Sequence, residues 1–296
     1  MHHARRQTSN YQFWTWVTCH ERCWTKEMNK YSMSTNTVEE AVLLEETHGH
    51  VRVLKLNRPA KKNALSSELT RALVNALDAA NSDAAIRVIG ITGVGDTFCA
   101  GADLSPAKNK ERGANTIETT VQLVTGIRVN CHKPVIAGIN GLAIGAGLSL
   151  AMCCDMRMAS STASFHPGYA RAGTSPDCGL TWSLPQAVGH ERAMRFLLEV
   201  DFINAEQAFA MGLIGDVKAA DSFSDSFLTY CQKIAEVAPL AATQTKRQLA
   251  EAGLPDDLEA LVRSELRYTG KGLASKDGKE AVRAIFQKRK PVFTGD

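Results

Sequence analysis

An α/β fold built around a parallel sheet is predicted by three features of the chain. Strand and helix periodicities alternate through the first two-thirds. Two short, fully apolar strands are each followed by glycine- and alanine-rich text, and helical periodicity takes over from about Gly189. Such alternation places helices on the faces of a parallel sheet, whose strands are buried on both sides and therefore read as continuous apolar runs.

Alternating residues predict strands near Ala41 to Glu46 and Val51 to Leu56. Ser66 has the short oxygen-bearing side chain that caps a helix start, and the helix runs from there to about Ala80. Val88 to Thr92 is a short buried strand. A helical stretch from about Asn115 to Asn130 leads through Lys133-Pro134 into a second buried strand, Val135 to Ile139. The two buried strands are followed by related text, Cys99-Ala100-Gly101-Ala102 and Gly145-Ala146-Gly147, a weak internal repeat of strand, turn and small-residue helix start. The helical remainder extends to Phe286, with breaks expected at Pro239, Gly253-Leu254-Pro255 and Gly270. The organisation expected is an extension over 1–36, a sheet-based core over 37–225 and a helical region over 226–296.

With 296 residues, 44% of them hydrophobic, the chain can bury a large core. The formal charge of +3 is spread over 34 basic and 31 acidic side chains without a basic stripe, which argues against a nucleic-acid partner. No apolar run approaches the ~20 residues needed to span a bilayer, so no membrane association is expected. The eight cysteines follow no paired spacing, and Cys99, Cys153, Cys154 and Cys178 lie in apolar or glycine-rich runs. Core thiols in a reducing cytoplasm and no metal site are the expectation. Residues 1–36 hold Trp14, Trp16 and Trp24 without periodicity and read as an unfolded extension. Met33 resembles an ordinary start, while Arg5 and Arg6 ahead of any acidic residue leave an organelle-targeting segment as the competing reading.

Small-residue turns at the carboxyl ends of two parallel strands bring free backbone N–H groups to one edge of the sheet, where open α/β folds bind ligands. A carbonyl placed there would find preorganised donors for developing negative charge. The same residues would equally permit close helix–strand packing, and spacing alone does not separate the two.

From about Val38 to Phe293 the text resembles the enoyl-CoA hydratase/isomerase, or crotonase, family. Asn57-Arg58-Pro59-Ala60-Lys61-Lys62-Asn63-Ala64-Leu65 looks like its early CoA-binding segment. Phe98-Cys99-Ala100-Gly101-Ala102-Asp103-Leu104 looks like its first oxyanion loop, and Gly141 to Ala151 like its second. Ala-Met-Gly-Leu-Ile-Gly-Asp-Val at 210–217 resembles a later family segment. The resemblance implies a spiral of ββα units with a helical C-terminal trimerisation region, and an acyl-CoA thioester substrate with no dissociable cofactor. It also implies a homotrimer or dimer of trimers. Carried over by position, Ala102 and Ala146 supply the oxyanion N–H groups. Ala60, Lys61, Lys62, Asp103, Leu104 and Gly145 line the CoA and thioester site, and His166 lies on a segment expected to line the acyl pocket. Asn63 reads as a structural turn residue.

The hydratases of that family carry two glutamates, and the matching positions here are Ser149 and Gly168. Paired acid–base chemistry suited to adding water is thereby missing. A carboxylate appears instead at Asp177, in Gly173-Thr174-Ser175-Pro176-Asp177-Cys178-Gly179-Leu180-Thr181. This segment is similar to that of 1,2-epoxyphenylacetyl-CoA isomerase-like members and enoyl-CoA isomerases, where the matching aspartate is the catalytic base. One carboxylate suffices for a 1,3-proton shift, so an isomerase is the leading expectation. Alternatives are a hydratase-like lyase, a dehalogenase or thioester hydrolase using Asp177 as nucleophile within a cage including Phe165 and Tyr169, and a catalytically silent CoA-binding subunit. In the bland reading, Asp177 merely caps the helix starting near Gly179.

Overall fold

The computed structural model describes residues 41–104 and 114–294, so the expected N-terminal extension lies outside the described residues. The chain opens with β1 (Leu43–His48) and β2 (Val51–Leu56), an antiparallel pair, followed by α1 (Ser67–Ser82). Next come β3 (Val88–Gly93), β4 (Thr97–Cys99) and α2 (Ala114–Thr125), then β5 (Val135–Ile139), β6 (Leu142–Ile144) and α3 (Ala146–Cys153). The third such unit is β7 (Met156–Ser160), β8 (Ser164–His166) and α4 (Leu180–Val188). The helix α5 (His190–Glu199) leads to β9 (Ile203–Asn204), α6 (Ala205–Ala210) and β10 (Asp216–Lys218). The chain finishes with α7 (Phe223–Ala235), α8 (Pro239–Gly253), α9 (Leu258–Ala274) and α10 (Lys276–Phe286).

After the opening hairpin, whose two strands share one sheet, each of the three ββα units gives its first strand to that sheet and its second to another. The larger sheet has the order β1-β2-β3-β5-β7-β10 and the smaller β4-β6-β8-β9. Apart from β1 and β9, the strands in each pair in parallel. The weak repeat in the text is therefore a repeat of the backbone, and the expected spiral of ββα units is what the strand order describes.

The helix α1 shows how local sequence sets this up. The Ser66 hydroxyl accepts from Leu69 N at 3.2 Å, satisfying one of the free amides of the first turn. Leu69, Leu73 and Leu77 recur every four residues and lie inside, each contributing about 2 kcal/mol by burial. On the opposite face of the larger sheet, α7 presents Phe223, Phe227, Cys231 and Ala235 at the same spacing. They pack against Val51, Val53, Val88, Ile136 and Met158.

Three expectations need correction. The first strand begins two residues later than expected, because its register is set by antiparallel pairing of Leu43 with Leu56 and His48 with Val51. Gly270 does not break a helix: it lies inside α9, exposed and with open space where a Cβ would stand. An exposed helical glycine costs only about 1 kcal/mol, which the rest of the helix supports. The small-residue repeat holds only one helix start. Ala146 opens α3, but Ala102 ends a strand-like segment and bridges to Leu65 in parallel. In addition, β9 and β10 interrupt the stretch read as helical; β10 is only three residues long and is recruited by pairing with β7.

The two small-residue loops approach each other closely. A Cβ on Gly147 would stand 2.2 Å from the Cys99 carbonyl oxygen, a backbone atom that cannot turn away. Gly147→Ala is therefore expected to destabilise the fold by about 3 kcal/mol or more, checked by chemical denaturation.

Candidate active site

The smaller sheet positions the site. Its parallel strands β4, β6 and β8 end side by side, and their carboxyl ends run into Gly101-Ala102, Gly145-Ala146 and Pro167-Gly168. A Cβ on Gly101, whose φ is +97°, would lie 2.9 Å from the Ile144 carbonyl oxygen and 3.6 Å from the Ala146 nitrogen. Only glycine accommodates both that φ and that approach.

Two backbone amides belong to the loops that meet here, those of Ala102 and Ala146. In the bridge to Leu65, Gly101 accepts from Leu65 N at 2.8 Å and Asp103 N donates to Leu65 at 2.9 Å. Successive N–H groups of extended chain point to opposite sides, so the Ala102 N–H faces away from Leu65. The Ala146 N–H belongs to the first residue of α3 and has no carbonyl one turn earlier to receive it. The α3 dipole adds positive potential at the same point. Gly145 N donates to the His166 carbonyl at 3.1 Å, fixing the second loop on β8.

The early segment docks beside the first loop. Ala100 N donates to the Lys62 carbonyl at 2.9 Å. Asn63 is fully buried: its Oδ1 accepts from Arg58 N, and its Nδ2 donates to the carbonyls of Val94 and Thr97. Ala60, Lys61 and Lys62 remain exposed, with Lys62 Nζ 3.0 Å from Asp96 in a solvent-exposed pair that is worth little and easily surrendered to an anion. Leu104 is half-buried. Asp103 differs from its expected lining role: it is turned inward and buried, with Oδ2 accepting from Arg58 Nη2 at 2.9 Å. It fastens the early segment to the loop that follows β4.

The side chain of His166 is likewise directed away from the junction. Its Nε2–H donates to the Val200 carbonyl at 2.9 Å, since a carbonyl can only accept, and its ring lies 4.4 Å from that of Phe202. Burial pushes it down to about 4, so the ring is neutral near pH 7.

Asp177 lies half-buried on the loop between β8 and α4. Tyr169 Oη donates to its Oδ1 at 2.7 Å, and Ser149 Oγ lies 2.6 Å from the same phenol oxygen. Burial, and then the charge of Asp177, raises the Tyr169 phenol well above its ordinary value and keeps it protonated. Burial and the same charge also raise the Cys178 thiol, which is therefore no thiolate nucleophile. Capping of α4 is done elsewhere. Glu265 on α9 accepts from Gly179 N at 2.6 Å, from Thr181 N at 3.0 Å and from the Thr181 hydroxyl.

Sequence reasoning missed Glu265, although a signal existed: Leu258, Val262 and Glu265 share the buried stripe of α9. Burial raises its carboxyl above the ordinary value, against the lowering by its hydrogen bonds. The folded state thus binds this proton more tightly than the unfolded chain. The associated stability is full below the unfolded pKa and is lost as pH rises through the raised folded value. Relative to Glu265→Gln, the wild type should lose stability as pH climbs from about 4.5, as read from denaturant midpoints at a series of pH values.

A family model described as Enoyl-CoA hydratase/isomerase matches residues 46–296. Among curated relatives, the chain is 38% identical to 2,3-dehydroadipyl-CoA hydratase of Escherichia coli K12, covering 83% of this chain and 95% of that one. It is 32% identical to 1,2-epoxyphenylacetyl-CoA isomerase of the same organism, over 86% and 98%. Among solved structures, an enoyl-CoA hydratase/isomerase from Pseudoalteromonas atlantica T6c superposes with a TM-score of 0.78 at 33% identity, covering 86% of this chain and all of that one.

Proposed function

This chain belongs to the enoyl-CoA hydratase/isomerase family, and from that premise we propose that it is an enoyl-CoA isomerase in which Asp177 alone carries the proton. The observation that supports the reading is the set of carboxylates near the junction among the described residues. Ser149 and Gly168 stand at the two positions where the family's hydratases have glutamates, and Asp177 is held nearby by Tyr169. Glu265 is committed to the start of α4.

In this reading the thioester oxygen sits between the amides of Ala102 and Ala146. Ala60, Lys61, Lys62 and Leu104 receive the CoA chain and its phosphates, and Gly145 keeps the acyl path open. Asp177 removes a proton from C2 of a 3-enoyl-CoA, giving a dienolate whose charge on the thioester oxygen the two amides stabilise. The same carboxyl group returns a proton at C4, leaving the 2-enoyl product. Assembly as a trimer or dimer of trimers accompanies this proposal.

Incubating the protein with a 3-enoyl-CoA in deuterated water tests it. The expected product is the 2-enoyl-CoA, with any deuterium gained at C4. A 2-enoyl-CoA run in parallel separates the alternatives: its conversion to the 3-hydroxyacyl-CoA with the 3-enoyl-CoA left untouched would assign hydration instead, and tight acyl-CoA binding with turnover of neither would mark a silent subunit.

A further inference from the structure

We propose that Tyr169 is a positioning residue for Asp177 and is itself held by Ser149, so that the first turns of α3 carry both an oxyanion donor and the anchor of the base. This inference rests on the isomerase reading above. Ser149 follows Gly145 by one helical turn, its N–H donating to the Gly145 carbonyl at 3.0 Å. From there the chain runs Ser149 Oγ to Tyr169 Oη at 2.6 Å, and Tyr169 Oη to Asp177 Oδ1 at 2.7 Å.

A phenol has a single proton. An ionised carboxylate can only accept, so Tyr169 gives its proton to Asp177, and the 2.6 Å contact is made by the Ser149 hydroxyl donating to Tyr169. The competing acceptor for that hydroxyl, the Gly145 carbonyl, is farther at 3.3 Å. Ser149 is fully buried and Tyr169 nearly so, and the contact between them is therefore screened from competing water.

The loop bearing Asp177 needs such a tether. It includes Gly173, Cys178 and Gly179 in left-handed backbone conformations and no regular structure at Asp177 itself. The position where the hydratases carry one glutamate is therefore occupied by a serine that reaches the remaining carboxylate through one tyrosine.

The pH profile separates positioning from mere packing. A donor to the ionised carboxylate favours the ionised form, so its removal raises the pH at which Asp177 becomes a competent base. Among the described residues, titratable groups in electrostatic reach of Asp177 include Glu265 from α9 and two thiols kept protonated by burial, Cys153 from α3 and the adjoining Cys178. None of them is altered by the substitutions used.

Tyr169→Phe, assayed for 3-enoyl-CoA isomerisation beside Asp177→Asn, is expected to lose about tenfold or more in kcat with KM nearly unchanged. The acidic limb of its kcat/KM profile should move up by about one pH unit. Ser149→Ala should move both quantities in the same direction by less, and it decides the matter if Tyr169→Phe does not fold. An unmoved acidic limb in the folded variants overturns the positioning role, whether or not kcat falls. An inactive Asp177→Asn beside such a result sinks the tether alone, whereas an active Asp177→Asn sinks the isomerase reading itself.

Discussion

Asp177→Asn is expected to lower kcat for 3-enoyl-CoA isomerisation by about 10³-fold, within the range by which positioned general bases accelerate proton transfer. KM should change little, because an amide has nearly the shape of the carboxylate and the proposed hold on the thioester is by backbone groups. Folding should also be preserved: the side-chain amide oxygen of the variant can accept from Tyr169 as the Asp177 carboxylate does at 2.7 Å. Among the described residues, no neighbour is placed to substitute. Glu265 spends its oxygens on Gly179 and Thr181. The Cys153 thiol is pushed up to about 12 by burial, and the Cys178 thiol is raised well above its ordinary value for the same reason. Steady-state kinetics, with thermal unfolding to confirm the fold, checks this. Turnover within tenfold of wild type would remove Asp177 from the chemistry.

That Asp177 could be singled out from sequence, while its supports could not, has a physical cause. The backbone devices of the site are local. Glycines and alanines stand within a few residues of the strand ends they serve, so Phe98–Leu104 and Gly141–Ala151 could be read as loops, and Ser66 as a cap. The supporting side chains come from distant places. Ser149 to Tyr169 spans 20 residues and Gly179 to Glu265 spans 86. Periodicity reports which face of a helix is buried but not what that face meets. Ser149 therefore read as a missing glutamate, Tyr169 as a cage aromatic, and Glu265 not at all.

The same limit explains Asp103 and His166. Each lies in a segment whose main chain builds the site: Asp103 N donates to Leu65, and the His166 carbonyl receives Gly145 N. Adjacency in sequence suggested that their side chains face the substrate too. In extended backbone successive side chains alternate between faces. Asp103 turns inward to Arg58, and His166 turns to Val200 and Phe202. The course of the main chain follows from strand and helix ends legible in the sequence, whereas the direction of a side chain needs the neighbouring elements.

The proposed oxyanion donor of Ala146 can be deleted by substituting that residue, because Ala146 is the first residue of α3. Proline is well tolerated there: its ring imposes a helical φ, and the N–H it removes has no intrahelical partner. The preceding residue must avoid the α region before a proline. Gly145 already does so, at φ 52° and ψ −122°, the mirror image of an extended pre-proline conformation and open only to glycine. Gly145 N still donates to His166, and Ser149 N still reaches the Gly145 carbonyl. Ala146→Pro is therefore expected to melt within about 2 °C of wild type. Catalysis should suffer far more, because one of two preorganised donors is gone and a ring carbon occupies its place. Loss of such a donor typically costs 10²- to 10³-fold, so kcat/KM for 3-enoyl-CoA should drop by at least about 10²-fold. Unlike Asp177→Asn, this variant should also weaken acyl-CoA binding, since ground-state and enolate oxygens share the same spot. Wild-type turnover in a folded Ala146→Pro would mean that the thioester carbonyl lies elsewhere than at the start of α3.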